Sequence, residues 1–456
     1  MNKDLIKLLI AEYQREVLKT RLIARDYEIE DGLNYVFVGL RRAGKSYLMF
    51  QQMQKLLKKG HSIDEMLYFN FEDERLAALD TADLDLIKTC YEEMYDHKPL
   101  FFLDEIQIVP NWEKFARRLT DQNYRVYVTG SNAKMLSSEI ATTLGGRFMI
   151  RNVYPFSFRE FLTLAGIDSN DKNAVFRFRT EIHKIFELYF RFGGLPEAVK
   201  VENKREWLSN LYQKVFFGDL ISRYQIRNDF ALRVLIRKLA ESVKQPSSFN
   251  RLANVVSASG KKISVETVID YLTYLKESWL IFPVENFAAK LADKESNKKY
   301  YFIDNGILNL FLLDPQTSLL ENLVAIQLRR LYGDDVYFYH NNVEVDFYIP
   351  EVQLAVQACY HLNDTETTRK REVKALLQFA KHVEVKKMVI ITKDEEDIIS
   401  EGGMEIEVLP IWKWLLFFPT PDPEIVAAPY IPYNGKNDIR PCAILSGSLN
   451  RLSNQG

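Results

Sequence analysis

"YVFVGLRRAGKSYLMFQQM", Tyr35 to Met53, runs from an apolar segment through two glycines and two arginines into a helix-like pattern. Gly39, Gly44, Lys45 and Ser46 satisfy Gly-x4-Gly-Lys-[Ser/Thr] completely, and they do so between a strand and a helix, the context that gives this pattern its meaning. Each part has a physical purpose. Glycines allow backbone conformations that a Cβ forbids. Successive amides then curl round phosphate oxygens, with the partial positive charge of a helix start behind them. Lys45 is expected to reach the β- and γ-phosphates of ATP, and the Ser46 hydroxyl to sit on Mg2+. The expected nucleotide contacts are Gly39, Arg41, Arg42, Ala43, Gly44, Lys45, Ser46 and Tyr47.

A chain that hydrolyses what such a loop holds needs an acid at the end of a buried strand. "PLFFLDEIQ", from Pro99, supplies it: Asp104 is expected at Mg2+ through water, and Glu105 as the general base that polarises the attacking water. "YRVYVTGSNAKML", from Tyr124, is another apolar strand, ending in Thr129, Gly130, Ser131 and Asn132. Ser131 or Asn132 is placed to hydrogen-bond the γ-phosphate or the water; a plain turn is the competing explanation. In "LGGRF", Arg147 stands between a glycine pair and a strand, where it is suited either to a γ-phosphate in a neighbouring subunit or to a structural ion pair.

Around these motifs the pattern alternates strand and helix: "MLYFNFE", "PLFFLDE", "RVYVTGS" and "GRFMIRNVYP" are strands with helical stretches between them. That predicts an α/β fold, a parallel sheet with helices on both faces. The N-terminal stretch has helical periodicity through Leu5, Leu8, Leu9, Tyr13 and Val17, and its frequent charges exclude a signal peptide. The chain has 456 residues, enough for several domains at about 150 residues each. A formal net charge of −2 excludes a whole-protein polycation but allows a local basic face. Cys90, Cys359 and Cys442 are far apart, which fits neither a disulfide framework nor a zinc cluster and suits a reducing, cytoplasmic setting. No apolar run approaches the ~20 residues that span a bilayer, so no membrane partner is expected. The densest, "IWKWLLFFP" from Ile411, carries Lys413 and reads as core.

Taken together, "GLRRAGKS", "YFNFEDERL", "FFLDEIQ", "VTGSNAKML", "GRF" before "YPFSFREFL", and "FGGLPEAV" resemble the AAA-type ATPase family of archaea and bacteria whose members carry a C-terminal domain of unknown function related to the PD-(D/E)XK nuclease fold. The resemblance covers roughly residues 15–415. It implies that Lys45 and Ser46 bind nucleotide and magnesium, that Asp104 and Glu105 are the Walker B pair, that Asn132 is the sensor, that Arg147 is a candidate finger, and that a homo-oligomer can form.

The expected division is an ATPase domain at 1–155, a helical lid or linker at 156–228, a winged helix-turn-helix at 229–290, a PD-(D/E)XK-like domain at 291–418, and a flexible tail at 419–456. Between Ala231 and Leu280 eight basic residues face four acids, and Lys261 and Lys262 precede an expected recognition helix near Ser264. Double-stranded DNA is the implied partner, with a packing lid as the alternative. Tyr271, Leu272 and Leu275 are expected in the core. Nucleases of the fold that the last domain resembles use a helix Glu, a strand Asp and Glu-x-Lys. Glu321 and Asp346 fit the first two places, but Gln357 and Cys359 stand in the last two. A neutral amide is a poor metal ligand and a thiol cannot replace an ammonium, so a degenerate site is expected, with Cys359 a buried apolar residue. The function expected is an ATPase coupling nucleotide state to DNA or protein binding. The alternatives are a signalling or scaffold NTPase with a protein output, or an ATP-dependent nuclease.

Overall fold

The computed structural model describes residues 2–418 except 78, 132–134, 136–141, 172–174, 176 and 261. Asn132, Lys261, Cys442 and the expected tail lie outside the described residues. Five short apolar runs form one wholly parallel sheet: β1 (Asn34–Val38), β2 (Met66–Asn70), β3 (Leu100–Asp104), β4 (Val126–Gly130) and β5 (Phe148–Asn152), in the order β2-β3-β4-β1-β5. The inner strands are buried on both faces, which is why they read as continuous rather than alternating apolar runs. Their rings stack within the sheet, Phe102 on Tyr127 at 4.6 Å and Tyr35 beside Phe37 at 5.8 Å. Because β4 lies between β1 and β3, its end is inserted between the glycine loop after β1 and the acids after β3. The helix Lys3–Lys19 buries Ile6, Leu9, Ile10, Tyr13 and Val17. Leu8, expected on that stripe, faces solvent at 51% exposure.

The chain then turns helical through Phe158–Leu164, Arg179–Phe192 and Lys204–Lys214, and continues into a π-helical segment, Val215–Ser222. Next come helix Asp229–Glu241, the short strand β6 (Ser247–Ser248), helices Phe249–Ala258 and Val265–Glu277, and strands β7 (Ile281–Asn286) and β8 (Asn297–Phe302). Ser264 caps the helix Val265–Glu277, and Tyr271, Leu272 and Leu275 are buried as expected, with Val268 on the same face. The remaining strands are β9 (Tyr337–His340), β10 (Glu344–Ile349), β11 (Leu354–Ala358), β12 (Lys387–Thr392), β13 (Asp397–Glu401) and β14 (Met404–Pro410). They join the middle region in one nine-stranded sheet, β13-β14-β12-β11-β10-β9-β7-β8-β6. β7 pairs antiparallel with β8 and parallel with β9. The division expected between 290 and 291 therefore falls inside a continuous sheet.

Trp414 and Ile411 of the Ile411 segment are buried, in a helix Ile411–Phe417. No helix among the described residues is long and apolar enough to cross a membrane.

Asp304 explains part of the "FGGLPEAV" motif. It is buried, and its carboxylate accepts from the Gly194 amide at 2.8 Å, the Gly306 amide at 2.8 Å and the Ile307 amide at 3.3 Å. The carboxylate thus ties the loop after helix Arg179–Phe192 to the chain after β8. Burial outweighs these three bonds and pushes its pKa to about 6 from an ordinary 3.8. The folded chain then binds this proton more tightly than the unfolded one. The stability Asp304 contributes is fully present below its ordinary pKa and is lost as pH rises through about 6. Two pKa units correspond to about 3 kcal/mol. Urea midpoints taken from pH 4 to 8 should fall with rising pH in the wild type relative to Asp304→Asn, which cannot titrate. Parallel curves for the two proteins would refute this assignment.

Candidate active site

The loop after β1 is shaped by two close requirements. A Cβ on Gly39 would lie 2.1 Å from the Val153 carbonyl oxygen, and Gly44 has φ +96°, so both positions need glycine. Helix Lys45–Lys58 begins directly after Gly44. Under the loop lies Arg25, almost wholly buried. Its Nη1 donates to the Ala43 carbonyl at 3.0 Å, its Nη2 to the Tyr154 carbonyl at 2.8 Å, and its Nε to Glu160 Oε1 at 2.7 Å. One guanidinium therefore fixes the loop to the segment that follows β5.

Lys45 is 4% exposed, and its ammonium donates to the carbonyls of Gly39 and Leu40 at 3.3 Å each. It stands 3.2 Å from Glu105 Oε1. Asp104 accepts from the Tyr68 hydroxyl at 2.6 Å and from the Thr129 hydroxyl, and Ser46 bonds to it as well. Burial first, and the adjacent Glu105 charge second, hold the Asp104 carboxyl above its ordinary range. For Glu105 burial pulls upward, but the Lys45 ammonium, the Gln107 amide and Arg41 outweigh it, so its carboxyl lies below the ordinary value. Glu105 takes φ +54°, unusual for a non-glycine residue. Three bonds hold it there: its amide donates to Thr129 Oγ1 at 2.8 Å, and its Oε2 accepts from Gln107 Nε2 at 2.6 Å and from the Ser131 amide at 3.2 Å. Among the described residues the buried Ser131 hydroxyl beside them has no hydrogen-bond partner.

Arg41, Arg42, Gly44, Lys45, Ser46, Tyr47, Asp104 and Glu105 all line one cleft of about 380 Å3. Arg42 pairs with Glu197 at 2.7 Å, and Tyr47 is 56% exposed at the mouth. The Ala43 side chain is buried, and its part is the carbonyl offered to Arg25. The residues fit a nucleotide with its metal: ammonium, guanidinium and loop amides suit phosphate, and the Ser46 hydroxyl with the Asp104 carboxylate is an all-oxygen set suited to Mg2+. Arg147 is elsewhere. It precedes Phe148, which pairs with Asn34 at the start of β1, the end opposite the loop, and it is bonded to Asp121 at 2.7 Å. Within one chain it does not join the cleft. Arg25, Tyr68, Gln107 and Thr129 are positioning residues that motif reading missed. Thr129 had a local signal in its place at the end of an apolar strand, and Tyr68 and Gln107 stand within the motif segments "YFNFEDERL" and "FFLDEIQ"; Arg25 had none.

A second cavity, of about 860 Å3, opens in the last third of the chain. Glu321, from helix Gln316–Tyr332, and Asp346, from β10, do meet there. Lys299 of β8 joins them. Its fully buried ammonium lies 3.4 Å from Glu321, 3.3 Å from Glu344 and 3.3 Å from Asp346. Burial pushes the Glu321 carboxyl to about 7 despite that ammonium. Gln357 Oε1 accepts from the Asp346 amide at 2.7 Å while its Nε2 donates to Glu372 at 2.8 Å. An ionised carboxylate at 357 has no proton to give to Glu372. Cys359 is 8% exposed and burial pushes its thiol up to about 12, in line with an inert core residue.

Fold and site define a nucleotide-binding P-loop domain of the AAA type, and residues 33–162 match the AAA domain family model. Residues 183–318 match a domain of unknown function, DUF8612. The chain belongs to the family of the uncharacterized protein MJ1544 of Methanocaldococcus jannaschii: the two are 35% identical over 418 residues, 88% of this chain and 92% of the relative. An uncharacterized protein of Haemophilus influenzae is 29% identical over 395 residues, 84% and 94% of the two chains. Among solved structures, the Walker-type ATPase paby2304 of Pyrococcus abyssi aligns over 66% of this chain and 95% of its own, at 14% identity and a TM-score of 0.37.

Proposed function

We propose that the chain hydrolyses ATP on the loop Gly39–Ser46 and uses the change in bound nucleotide to alter what its middle region touches. The observation that supports this most is the meeting of Lys45, Asp104 and Glu105 in one cleft, with the Lys45 ammonium 3.2 Å from Glu105. Ser46 and Asp104 are the residues to hold Mg2+, which supplies positive charge to the phosphates when bound. Lys45 turns from Glu105 to the phosphate oxygens as the triphosphate enters. Glu105 is then rid of the ammonium that lowers its pKa and becomes a better base towards a water beside it. The bonds from Gln107 and the Ser131 amide keep its carboxylate aimed, and the strained backbone is held by Thr129. Asn132, next in the chain after Ser131, is proposed as a further polar contact to phosphate or water. Arg147, at the far end of the sheet, makes the structural ion pair with Asp121, and a role at a γ-phosphate is proposed for it only towards a neighbouring copy in a homo-oligomer. Retention of labelled ATP and release of phosphate by the purified chain test this reading; a chain that retains no ATP at millimolar concentration refutes it.

For the output, the order helix, short strand, two helices and a strand pair supports a winged-helix reading of the middle region, with Arg237, Lys244, Arg251, Lys262 and Lys276 exposed. Duplex DNA is the partner that this reading implies. One observation favours a protein partner instead: the exposed face of helix Val265–Glu277 carries Glu266 and Asp270, which repel phosphate. Filter binding separates the two. Phosphate contacts would make duplex retention fall steeply between about 50 and 200 mM salt; negligible retention at both assigns the output to protein. The second cavity is proposed to be hydrolytically silent, since the Lys299 ammonium already lies between Glu321 and Asp346, where a metal would have to sit, and Gln357 is committed to structural bonds.

A further inference from the structure

Arg41 is held in common by two carboxylates that belong to different parts of the fold. Its Nη1 donates to Glu72 Oε1 at 2.8 Å, while Nε and Nη2 reach Asp219 Oδ2 and Oδ1 at 3.2 and 3.4 Å. The two bonds to Asp219 are the long ones. Asp219 is buried, 4% exposed, in the π-helical segment Val215–Ser222, a geometry that recurs at functional sites. It has a second cation, Arg223, whose Nη2 donates to Oδ1 at 2.9 Å. Among the described residues the other terminal nitrogen of Arg223, Nη1, is buried with no hydrogen-bond partner, while the guanidinium interacts with the Tyr224 hydroxyl, which itself donates to Glu277 at 2.6 Å.

We propose that Arg41 reads the terminal phosphate of a nucleoside triphosphate in its own cleft, and that its transfer from Asp219 to that phosphate carries nucleotide state into the Val215–Ser222 segment. This rests on the ATP reading above and names its regulation. Arg41 lines the same cleft as Lys45 and Glu105, and its charge acts on Glu105 together with Lys45, so the guanidinium is near the proposed base, where the terminal phosphate belongs. Arg42, by contrast, is held by Glu197 and lies over the Trp207 ring at 5.6 Å.

The exchange also costs little. Asp219 gives up two long bonds and keeps Arg223, whose second terminal nitrogen can turn to the oxygen that Arg41 leaves and complete a two-pronged pair. A terminal phosphate offers more charge and more acceptor oxygens to a planar guanidinium than a carboxylate already shared between two arginines. A diphosphate lacks that group and leaves Arg41 with Asp219. The difference between the two nucleotides is then one charge-assisted contact, which is what a ligand needs to shift a two-state element.

Asp219 also leads towards the helix Val265–Glu277. Its carbonyl accepts from the Ser278 hydroxyl at 3.4 Å. Tyr224, just beyond the segment, stacks on Tyr274 with ring centroids 3.9 Å apart and bonds to Glu277. These contacts attach the segment to the C-terminal half of helix Val265–Glu277, the helix proposed above as the output face.

The test is a pair of dissociation constants, measured by calorimetry on the full chain with magnesium, for ADP and for a non-hydrolysable ATP analogue. Arg41→Met is expected to weaken the analogue by about tenfold or more, the scale of one charge-assisted bond, and to leave ADP unchanged. Asp219→Asn removes the competitor and is expected to tighten the analogue while ADP stays the same. In the wild type, backbone hydrogen exchange over 215–224 should differ between analogue and ADP, and that difference should vanish in Arg41→Met. Equal weakening of both nucleotides in Arg41→Met overturns the proposal, as does an unchanged analogue-to-ADP ratio in Asp219→Asn, which decides alone if the arginine variant does not fold. A wild-type chain that binds neither nucleotide refutes the ATP reading instead, and this inference falls with it.

Discussion

Lys45→Ala should lose ATP by at least about a hundredfold, since two or more charge-assisted bonds to phosphate go unmade, each in the range of about 1.5–3 kcal/mol. Removal of this ammonium also strips Glu105 of its ion-pair partner at 3.2 Å and leaves the buried carboxylate with only the Gln107 and Ser131 bonds and the Arg41 charge to offset burial. Breaking such a pair typically costs about 3–5 kcal/mol. Affinity and stability should therefore fall together, and the Glu105 pKa should climb. Equilibrium binding of labelled ATP, with the melting temperature taken alongside, checks both. Undiminished binding by a folded Lys45→Ala protein would mean that the loop is not the phosphate site.

Glu105→Gln should separate binding from chemistry. The amide keeps the shape, and its oxygen still accepts from Gln107 and the Ser131 amide, but it cannot take a proton from water. Loss of a general base slows a reaction by about 100- to 10,000-fold. ATP affinity should hold or rise, because Lys45 no longer has to leave a carboxylate to reach the phosphates. Single-turnover phosphate release against equilibrium binding measures the split. A normal hydrolysis rate in this variant would show that Glu105 is not the base.

How much of this was legible beforehand depends on how far apart in the sequence the partners stand. β1 and the loop after it were readable because strand, glycines and Lys-Ser are contiguous. Asp104 and Glu105 were readable because they end an apolar run. The buried stripe Tyr271, Leu272 and Leu275 follows from helical spacing. Arg25 was not readable: its partners Ala43, Tyr154 and Glu160 are spread along the chain, and nothing near Arg25 marks it as buried. Lys299 sits in "KKYYF", where a strand start with two lysines looks solvated; only the return of Glu321 and Asp346 from later segments encloses it. Asp219 lies in an apolar run with no motif, and its meaning comes from Arg41 in the glycine loop. Leu8 shows the converse failure, an apolar residue at the right spacing that the packing leaves outside.

β7, which bonds to β8 on one side and β9 on the other, also limits how this chain can be inherited. Recombination near residue 290 would split a hairpin and leave each parent with a raw edge, prone to stick to any strand it meets. The middle and last thirds should therefore pass between genomes as one cassette and not exchange parts with each other.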